Sequence, residues 1–566
     1  MTASLTTISE KPWAGSAARI AWAILILATL YVCYFSHLGA IGFVGPDEPR
    51  YAWIARDMAE TDDWVTPRLY GKPWFEKPPL LYWGAALSFK LFGVSEAAAR
   101  LPSAISALLA TLALAWLAWR LYGPETARWL LLLLPTTVGM IGFSHAAATD
   151  MPFSGMLTIA MVCAAVVLGL TRDANSPVIP RTPRLALILF GFFLGLAVLA
   201  KGPAAIILCG GAVFFWAMFT KRWRDAFRLF HPAAIAAFCL TALPWYILCA
   251  RRNPDFFRIF IIEHNFKRFL TPEFQHIQPF WFYGAVLLIA LLPWTALGVW
   301  SLVVGSVQFW RSKQLSPNSH FFLTWALFCL LFFSISKSKL PGYILPAIPA
   351  IVVLMTRSRF ALASGRIKSL AISFFVSSLF FACCFAIVEY LAPHVSQGNV
   401  NFGIAAGIVL GALSVATCLL GLGISFSLRG VLGRGLAVCC VVPILLVVSN
   451  SQRLLPSFFR YDPSGKILSE ELRSRTIPIG ELAVVRPFNR SLRYGLSFYL
   501  HQEIPELDRQ HPQEGYVLTG MRYSKSQLGS DFTLEEVALD SEKTDYFLYK
   551  VQPQSATGHP GSGQPK

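Results

Sequence analysis

Apolar runs separated by short charged or Pro/Gly-containing breaks recur along the chain from about residue 20 to about residue 452. IAWAILILATLYVCYF, LALILFGFFLGLAVLA and FFVSSLFFACCFAIVEYLA each stay apolar for roughly 16–20 residues. A helix rising about 1.5 Å per residue needs that length to cross a bilayer core. The runs lack the period-two alternation of a membrane barrel, so the spans are helical. About thirteen are predicted, near 20–40, 98–119, 127–143, 152–171, 185–200, 203–219, 233–250, 281–303, 319–335, 342–356, 369–391, 402–425 and 435–452. The expected architecture is an all-α polytopic membrane bundle over 1–452, followed by a more polar tail. In that tail ELAVVRPF, LRYGLSFYL and TDYFLYKVQ have the character of strands. They predict a small α/β domain over 453–550, and a Gly/Ser/Pro-rich disordered end over 551–566.

Composition sharpens this picture. The chain has 566 residues, 55% hydrophobic and 14% charged, against about a quarter charged in soluble domains. A soluble enzyme and a disordered chain are thereby excluded. Lys and Arg number 48 against 31 Asp and Glu. On a soluble protein that excess would suggest nucleic acid. Here most of it falls in short loops, so no nucleic-acid partner is expected. With the N-terminus in the cytoplasm, the basic loops around Arg172, Arg181 and Arg184, Lys221 to Arg228, Arg357 to Lys368, and Arg429 and Arg434 all lie inside. The first run is long for a signal peptide and is read as an uncleaved span. The 11 cysteines sit in or at the ends of apolar runs without a CxxC, so no disulfide framework or zinc–thiolate site is suggested.

The outer face carries charge that topology does not require. The loop 41–97 contains GPDEPRYAWIARDMAE and YGKPWFEKPPLLYW; a second, 251–280, contains EHNFKRF; a third is SISKSKLPGY. Asp47 and Glu48 precede Pro49, with Tyr51, Ile54, Ala55 and Met58 at helical spacing. This predicts an amphipathic helix on the membrane surface, its Arg56, Asp57 and Glu60 toward water. Arg50 and Tyr51 stand at its start. Glu76 and Lys77 are stiffened by Pro78 and Pro79. Asp150 sits where it would cap a helix. Beside Glu263, His264 shares a helix face with Lys267 and Arg268, and Lys337, Lys339 and Tyr343 stand at another outer boundary. Each feature alone also reads as an ordinary cap, a solvated ion pair or a snorkelling lysine. Together they place carboxylates, a histidine and cations on one side of the membrane. That pattern suits an anionic lipid-linked substrate. No Gly-rich phosphate loop or Walker motif is present, so no nucleotide cofactor is expected. Glu76 and His264 are candidate ligands for one divalent metal ion.

The stretches DEPRYAWIARDM, DDWVTPRLYGKPWFEKPPLLYW, TDMPFSGMLTIAM, LAKGP, EHNFKRFL, QHIQPFWFY and SKSKLPGYILP follow one another over about residues 45–350. As a set they resemble the aminoarabinose (4-amino-4-deoxy-L-arabinose) lipid A transferases, within the protein-mannosyltransferase-like C-type membrane glycosyltransferases. Trp53 departs from that pattern, where the family tends to have Glu. The resemblance implies an enzyme of the bacterial inner membrane. Its donor would be a sugar, 4-amino-4-deoxy-L-arabinose, on a polyprenyl phosphate, and its acceptor lipid A, both met on the periplasmic side with inversion at the anomeric carbon. It further implies that Asp47, with Glu48 and Asp150, is catalytic. Arg50, Tyr51, Lys77, Lys267, Arg268, Lys337, Lys339 and Tyr343 would bind the substrate and its phosphate. Transfer of another lipid-linked sugar to a polysaccharide, lipid or protein is the alternative within the same chemistry. A transporter is the alternative outside it. Transporters place charge at mid-helix, and here the ionisable groups gather at outer helix ends.

Overall fold

The computed structural model describes residues 16–171, 183–267, 277–312, 315–362, 449, 462–508, 514–520, 522, 532–540 and 544–553. The expected spans 369–391, 402–425 and 435–452 lie outside the described residues, the single position 449 apart.

The first eight helices are α1 (Ser16–Tyr34), α2 (Asp47–Thr61), α3 (Leu80–Phe92), α4 (Glu96–Tyr122), α5 (Pro124–Leu133), α6 (Val138–Ser144), α7 (Asp150–Val167) and α8 (Arg184–Lys201). Among the described residues, five helices are long and apolar enough to cross a membrane: α4, α7, α8, Pro232–Arg252 and Pro317–Ile335. Every residue of α7 from Met151 to Val167 is buried, so this helix is apolar all round because it packs on protein on every side. Glycine permits the close approaches. A methyl group at Gly155 would come within 2.8 Å of the Ser106 carbonyl oxygen on α4. One at Gly191 of α8 would come within 2.0 Å of the Ala234 carbonyl oxygen. Small residues let backbones meet where the hydrophobic effect cannot drive helices together.

Prolines break two runs that hydropathy reads as continuous. The run 127–143 is α5 and α6, bent by 63° at a break that holds Pro135. The run 281–303 is Phe282–Ala290 followed by Thr295–Ser312, parted around Pro293. The run 342–356 begins as a 3-10 turn, Pro341–Ala347, before the helix Ile348–Leu362.

The stretch 41–97, expected as a loop around one surface helix, holds two helices and a tight hairpin. Strand β1 (Arg68–Leu69) pairs antiparallel with β2 (Lys72–Pro73). Gly71 takes φ +75° in the turn between them, a conformation free of strain only for glycine. The apolar α3 spans 13 residues, too few to cross a bilayer. It lies against α2 through Leu81, Tyr82, Ala85 and Phe89, which share a core with Tyr51, Ile54 and Met58.

Among the described residues after 461 come two α-helices, Lys466–Ser474 and Arg490–Leu500, a 3-10 turn, Ile479–Glu481, and five strands. The strands are β3 (Leu482–Val485), β4 (Glu506–Leu507), β5 (Gly515–Thr519), β6 (Phe532–Val537) and β7 (Phe547–Pro553), in the sheet order β4-β3-β5-β7-β6. β3 runs parallel to β4 and β5, while β7 is antiparallel to β5 and β6. LRYGLSFYL, expected as a strand, is helical instead. Asn489 caps it, accepting from the amides of Ser491 and Leu492 at 2.9 and 3.3 Å. Leu492, Leu496 and Leu500 then fall on one buried face at i, i+4 and i+8.

This C-terminal unit sits on the start of the bundle. The Tyr499 hydroxyl donates to Glu96 at 3.0 Å and accepts from the Phe43 amide at 2.9 Å, while Lys466 pairs with Glu96 at 2.9 Å. His501 lies 3.1 Å from Arg56 and 3.3 Å from Glu60. The polar face of α2, expected to meet water, is thus partly covered by protein. Asp57 is half-buried, and burial raises its carboxyl pKa.

Candidate active site

α2 starts at Asp47 because Pro46 and Pro49 suit a first helical turn and two acids favour its positive end. From this turn Asp47 and Glu48 project to different places. Glu48 is 6% exposed and pairs with Arg100, whose Nε and Nη2 reach its two oxygens at 2.9 and 2.8 Å. The amides of Ala147 and Val44 donate to the same carboxylate at 2.7 and 2.8 Å. Arg100 spends its remaining N–H groups on the carbonyls of Leu38, Ile41 and Gly42. Both Glu48 oxygens are therefore occupied, and Glu48 ties the segment between α1 and α2 to α4 and to the loop before α7. Glu48, expected to do chemistry, is held here in a buried ion pair.

Asp47 keeps a side chain 48% exposed and is paired through Oδ1 with Arg50. Arg50, 4% exposed, also donates from Nη1 to Glu76 at 3.1 Å and from Nε to the Pro46 carbonyl at 2.8 Å. Burial works against its charge, but Glu76, Tyr51 and Asp47 outweigh it and raise the pKa, so the guanidinium stays charged. Tyr51 was expected to bind substrate. It is instead 3% exposed, packed 5.7 Å from Tyr82, with its phenol pKa pushed well up by burial and then by Glu76 and Asp47. It supports Arg50 from the core.

Glu76 and Lys77 stand at the far edge of this cluster, 3.8 Å apart. Phe75 anchors them by packing with Leu199, Trp245 and Phe256. Glu76 does not fit a metal ligand as placed, because Arg50 and Lys77 direct positive charge at its two oxygens. Among the described residues no group of three or more His, Cys, Asp and Glu could hold a metal ion. The backbone of His264 and Lys267 belongs to a π-helix, Arg258–Lys267. Their side chains, and all of Arg268, lie outside the described residues.

A second cluster forms where α7 begins. Lys201, at the end of α8, reaches Asp150 at 2.5 Å and lies 4.3 Å from the Tyr343 ring centre. Gly342 allows this: a methyl group there would come 2.5 Å from the Asp150 carboxylate. Asp150 thus pairs a lysine from another helix, beyond the cap role open to it from sequence. Of the two expected phosphate lysines, Lys337 is exposed, whereas Lys339 is 7% exposed. Lys339 donates to the carbonyls of Ser336 and Gln278 at 2.6 and 3.1 Å. Burial, and then Lys337, lower its pKa. Lys339, expected to bind phosphate, thus holds its own loop with two of its three N–H groups. The Asp150 and Asp47 clusters are joined through residues 146–149, where the Ala147 amide meets Glu48 and Ser103 donates to the Ala146 carbonyl at 2.7 Å.

Two residues of the site escaped the sequence reading. Lys201 ends an apolar run, where a lysine ordinarily satisfies the helix C-terminus. Lys201 does lie within the LAKGP stretch, whereas Tyr494, in the C-terminal unit, comes within 5.2 Å of the Arg50 guanidinium carbon with no local spacing to signal it.

The fold is a helical membrane bundle that gathers carboxylates and cations at its helix ends, and comparison with known proteins gives its class, a membrane glycosyltransferase. Residues 20–260 match the family described as dolichyl-phosphate-mannose-protein mannosyltransferase. The chain is 34% identical over 421 residues to the undecaprenyl phosphate-alpha-4-amino-4-deoxy-L-arabinose arabinosyl transferase of Edwardsiella ictaluri, covering 70% of this chain and 74% of that one. It is 31% identical over 389 residues to the enzyme of the same name from Aeromonas salmonicida, covering 68% and 69%. The chain belongs to this arabinosyl transferase family. The crystal structure of ArnT from Cupriavidus metallidurans bound to undecaprenyl phosphate superposes with a TM-score of 0.75 at 22% identity, covering 95% of this chain and 99% of that one. Its apo form gives 0.71. The two share a fold.

Proposed function

We propose that this chain moves 4-amino-4-deoxy-L-arabinose from undecaprenyl phosphate to lipid A on the periplasmic side of the bacterial inner membrane. The observation that carries the reading is the Asp47–Arg50–Glu76 cluster at the head of α2, with Lys77 beside it. In this reading residues 1–452 form the membrane domain, with about thirteen spans and a cytoplasmic N-terminus, and residues 453–550 form a periplasmic domain. The donor's bond between C1 of the sugar and its phosphate oxygen breaks, and a bond from C1 to an acceptor oxygen forms on the opposite face. Charge grows on the leaving phosphate, where Lys77 and Arg50 oppose it. Arg50 has one N–H on each of Nη1 and Nη2 beyond those it gives to Asp47 and Glu76. A hydroxyl acceptor would give its proton to Asp47. A lipid A phosphate is ionised at neutral pH and needs no base; Asp47 then holds Arg50 and stabilises positive charge on the sugar. No step here runs through a metal.

The test is intact lipid A mass spectrometry in a host that makes the donor but lacks its own transferase. Wild type should add an aminopentose increment, and Asp47→Asn should lower it at least about 100-fold. An increment that survives Asp47→Asn refutes the assignment of Asp47. Absence of the increment in wild type, with expression confirmed, would favour a different lipid-linked sugar or acceptor.

A further inference from the structure

The helix Arg490–Leu500 of the C-terminal unit reaches the Arg50 cluster with one side chain. The Tyr494 ring centre lies 5.2 Å from the Arg50 guanidinium carbon, Trp74 at 5.6 Å and Tyr51 at 5.9 Å. Arg50 is therefore surrounded by three aromatic rings while it holds two carboxylates. Hydrogen bonds to Asp47, Glu76 and Pro46 fix a guanidinium within its own plane, but they resist tilting out of that plane only weakly. An aromatic face over the cation resists the tilt and helps shield the guanidinium, 4% exposed, from water.

Tyr494 also meets Arg490 at 5.6 Å and Arg493 at 5.8 Å. Arg493 is engaged within the C-terminal unit, donating to the Ile504 carbonyl at 2.9 Å and to Glu506 at 3.2 Å. That engagement holds the ring from its own side. The helix itself is docked by other residues, Tyr499 on Glu96 and Phe43, and His501 against Glu60. Removing the Tyr494 ring would leave those contacts in place.

We propose that Tyr494 is a positioning residue for the transfer reaction, supplied by the C-terminal unit to hold Arg50 in plane with Asp47 and Glu76. The site is then complete only while that unit is docked. This rests on the function proposed above and adds to it the origin of one wall of the site.

The experiment uses the full-length chain in lipid vesicles and compares wild type with Y494L, Y494F, Y499F, R50K and the R50K/Y494L double variant. Three readouts are taken: steady-state transfer, binding of undecaprenyl phosphate and thermal melting. Y494L should lower kcat about 10-fold, with the donor KM within about 3-fold. Y494F keeps the ring face and should stay within about 3-fold of wild type in both. In the R50K background Y494L should add less than about 2-fold, because the residue it acts through is already altered. The released monoester carries more negative charge than the donor's diester. Undecaprenyl phosphate affinity should therefore fall about 10-fold in Y494L and recover in Y494F. Y499F loses one docking hydrogen bond and should lower Tm without the kcat loss.

The proposal is overturned if Y494L matches wild type in kcat and in binding, or if its loss is undiminished in R50K. It is also overturned if Y499F loses as much kcat as Y494L, since undocking alone then explains both. A wild type that binds undecaprenyl phosphate but transfers nothing would refute the function proposed above, and the binding series would still decide the role of Tyr494. Y494M replaces Y494L in every arm if Y494L fails to melt cooperatively.

Discussion

Asp47 keeps an open carboxylate oxygen because the helix that begins there turns Glu48 toward Arg100. The pair Glu48–Arg100 is buried and fully hydrogen-bonded, so removing one charge leaves the other without compensation. Glu48→Gln should cost about 3–5 kcal/mol of stability, read as a lowered Tm with loss of folded protein, whereas Asp47→Asn should leave Tm within a few degrees. Equal melting of the two variants would contradict this division of labour. The sequence placed both acids at a helix start and marked Glu76 and Lys77 as rigid. It could not say which acid faces the substrate, because the deciding partner, Arg100, lies 52 positions away on α4. The same limit hid the lysines: Lys339 folds back on its own loop, while Lys201, from a different helix, meets Asp150.

α2 was legible as an amphipathic helix because its apolar positions repeat at helical spacing, and Tyr51, Ile54, Ala55 and Met58 are all buried. What covers its other face was not legible, since that covering comes from residues some 440 positions later. Proline explains the broken spans, where hydropathy averages across a break that backbone chemistry enforces. The loop after α2 is fastened by Asp63. It accepts from Arg68 at 2.6 Å, from the amides of Val65 and Thr66 at 3.0 and 3.3 Å, and from Arg252 at 3.0 Å. Burial opposes the Asp63 charge, but Arg68 and the Val65 and Thr66 amides outweigh it and lower the pKa. The folded pKa lies below the unfolded one, so this stabilisation is complete above the ordinary carboxylate range and is lost as pH falls through the folded value. Between about pH 5 and pH 2 the wild type should therefore lose more stability than Asp63→Asn. Parallel Tm–pH curves for the two proteins would exclude Asp63 as that fastening.

Across the whole molecule, hydropathy located most of the described helices because burial in lipid and burial in protein select the same side chains. For that reason it could not separate α7, walled in by other helices, from Pro232–Arg252. The apolar window of α7 is 94% buried and that of Pro232–Arg252 only 22%. In the C-terminal unit ELAVVRPF and TDYFLYKVQ hold strands β3 and β7 while LRYGLSFYL is a helix, and the attachment through Glu96, Phe43 and His501 depends on contacts that no local pattern encodes.

That contrast between two helices bears on how the protein meets bilayers of different thickness. α7 touches protein along its whole length, so thinning or thickening the hydrocarbon layer acts on it only through its neighbours. Pro232–Arg252 exposes most of its apolar surface and should absorb hydrophobic mismatch by tilting. Asp150, at the head of α7, should then keep its height relative to Lys201 and Tyr343. Turnover in vesicles of shorter or longer acyl chains should vary less than about 3-fold, while a spin label on Leu240 reports a changing tilt. A turnover that tracks acyl length as steeply as the tilt would mean that the active site is suspended from the lipid-facing helices and not from the core.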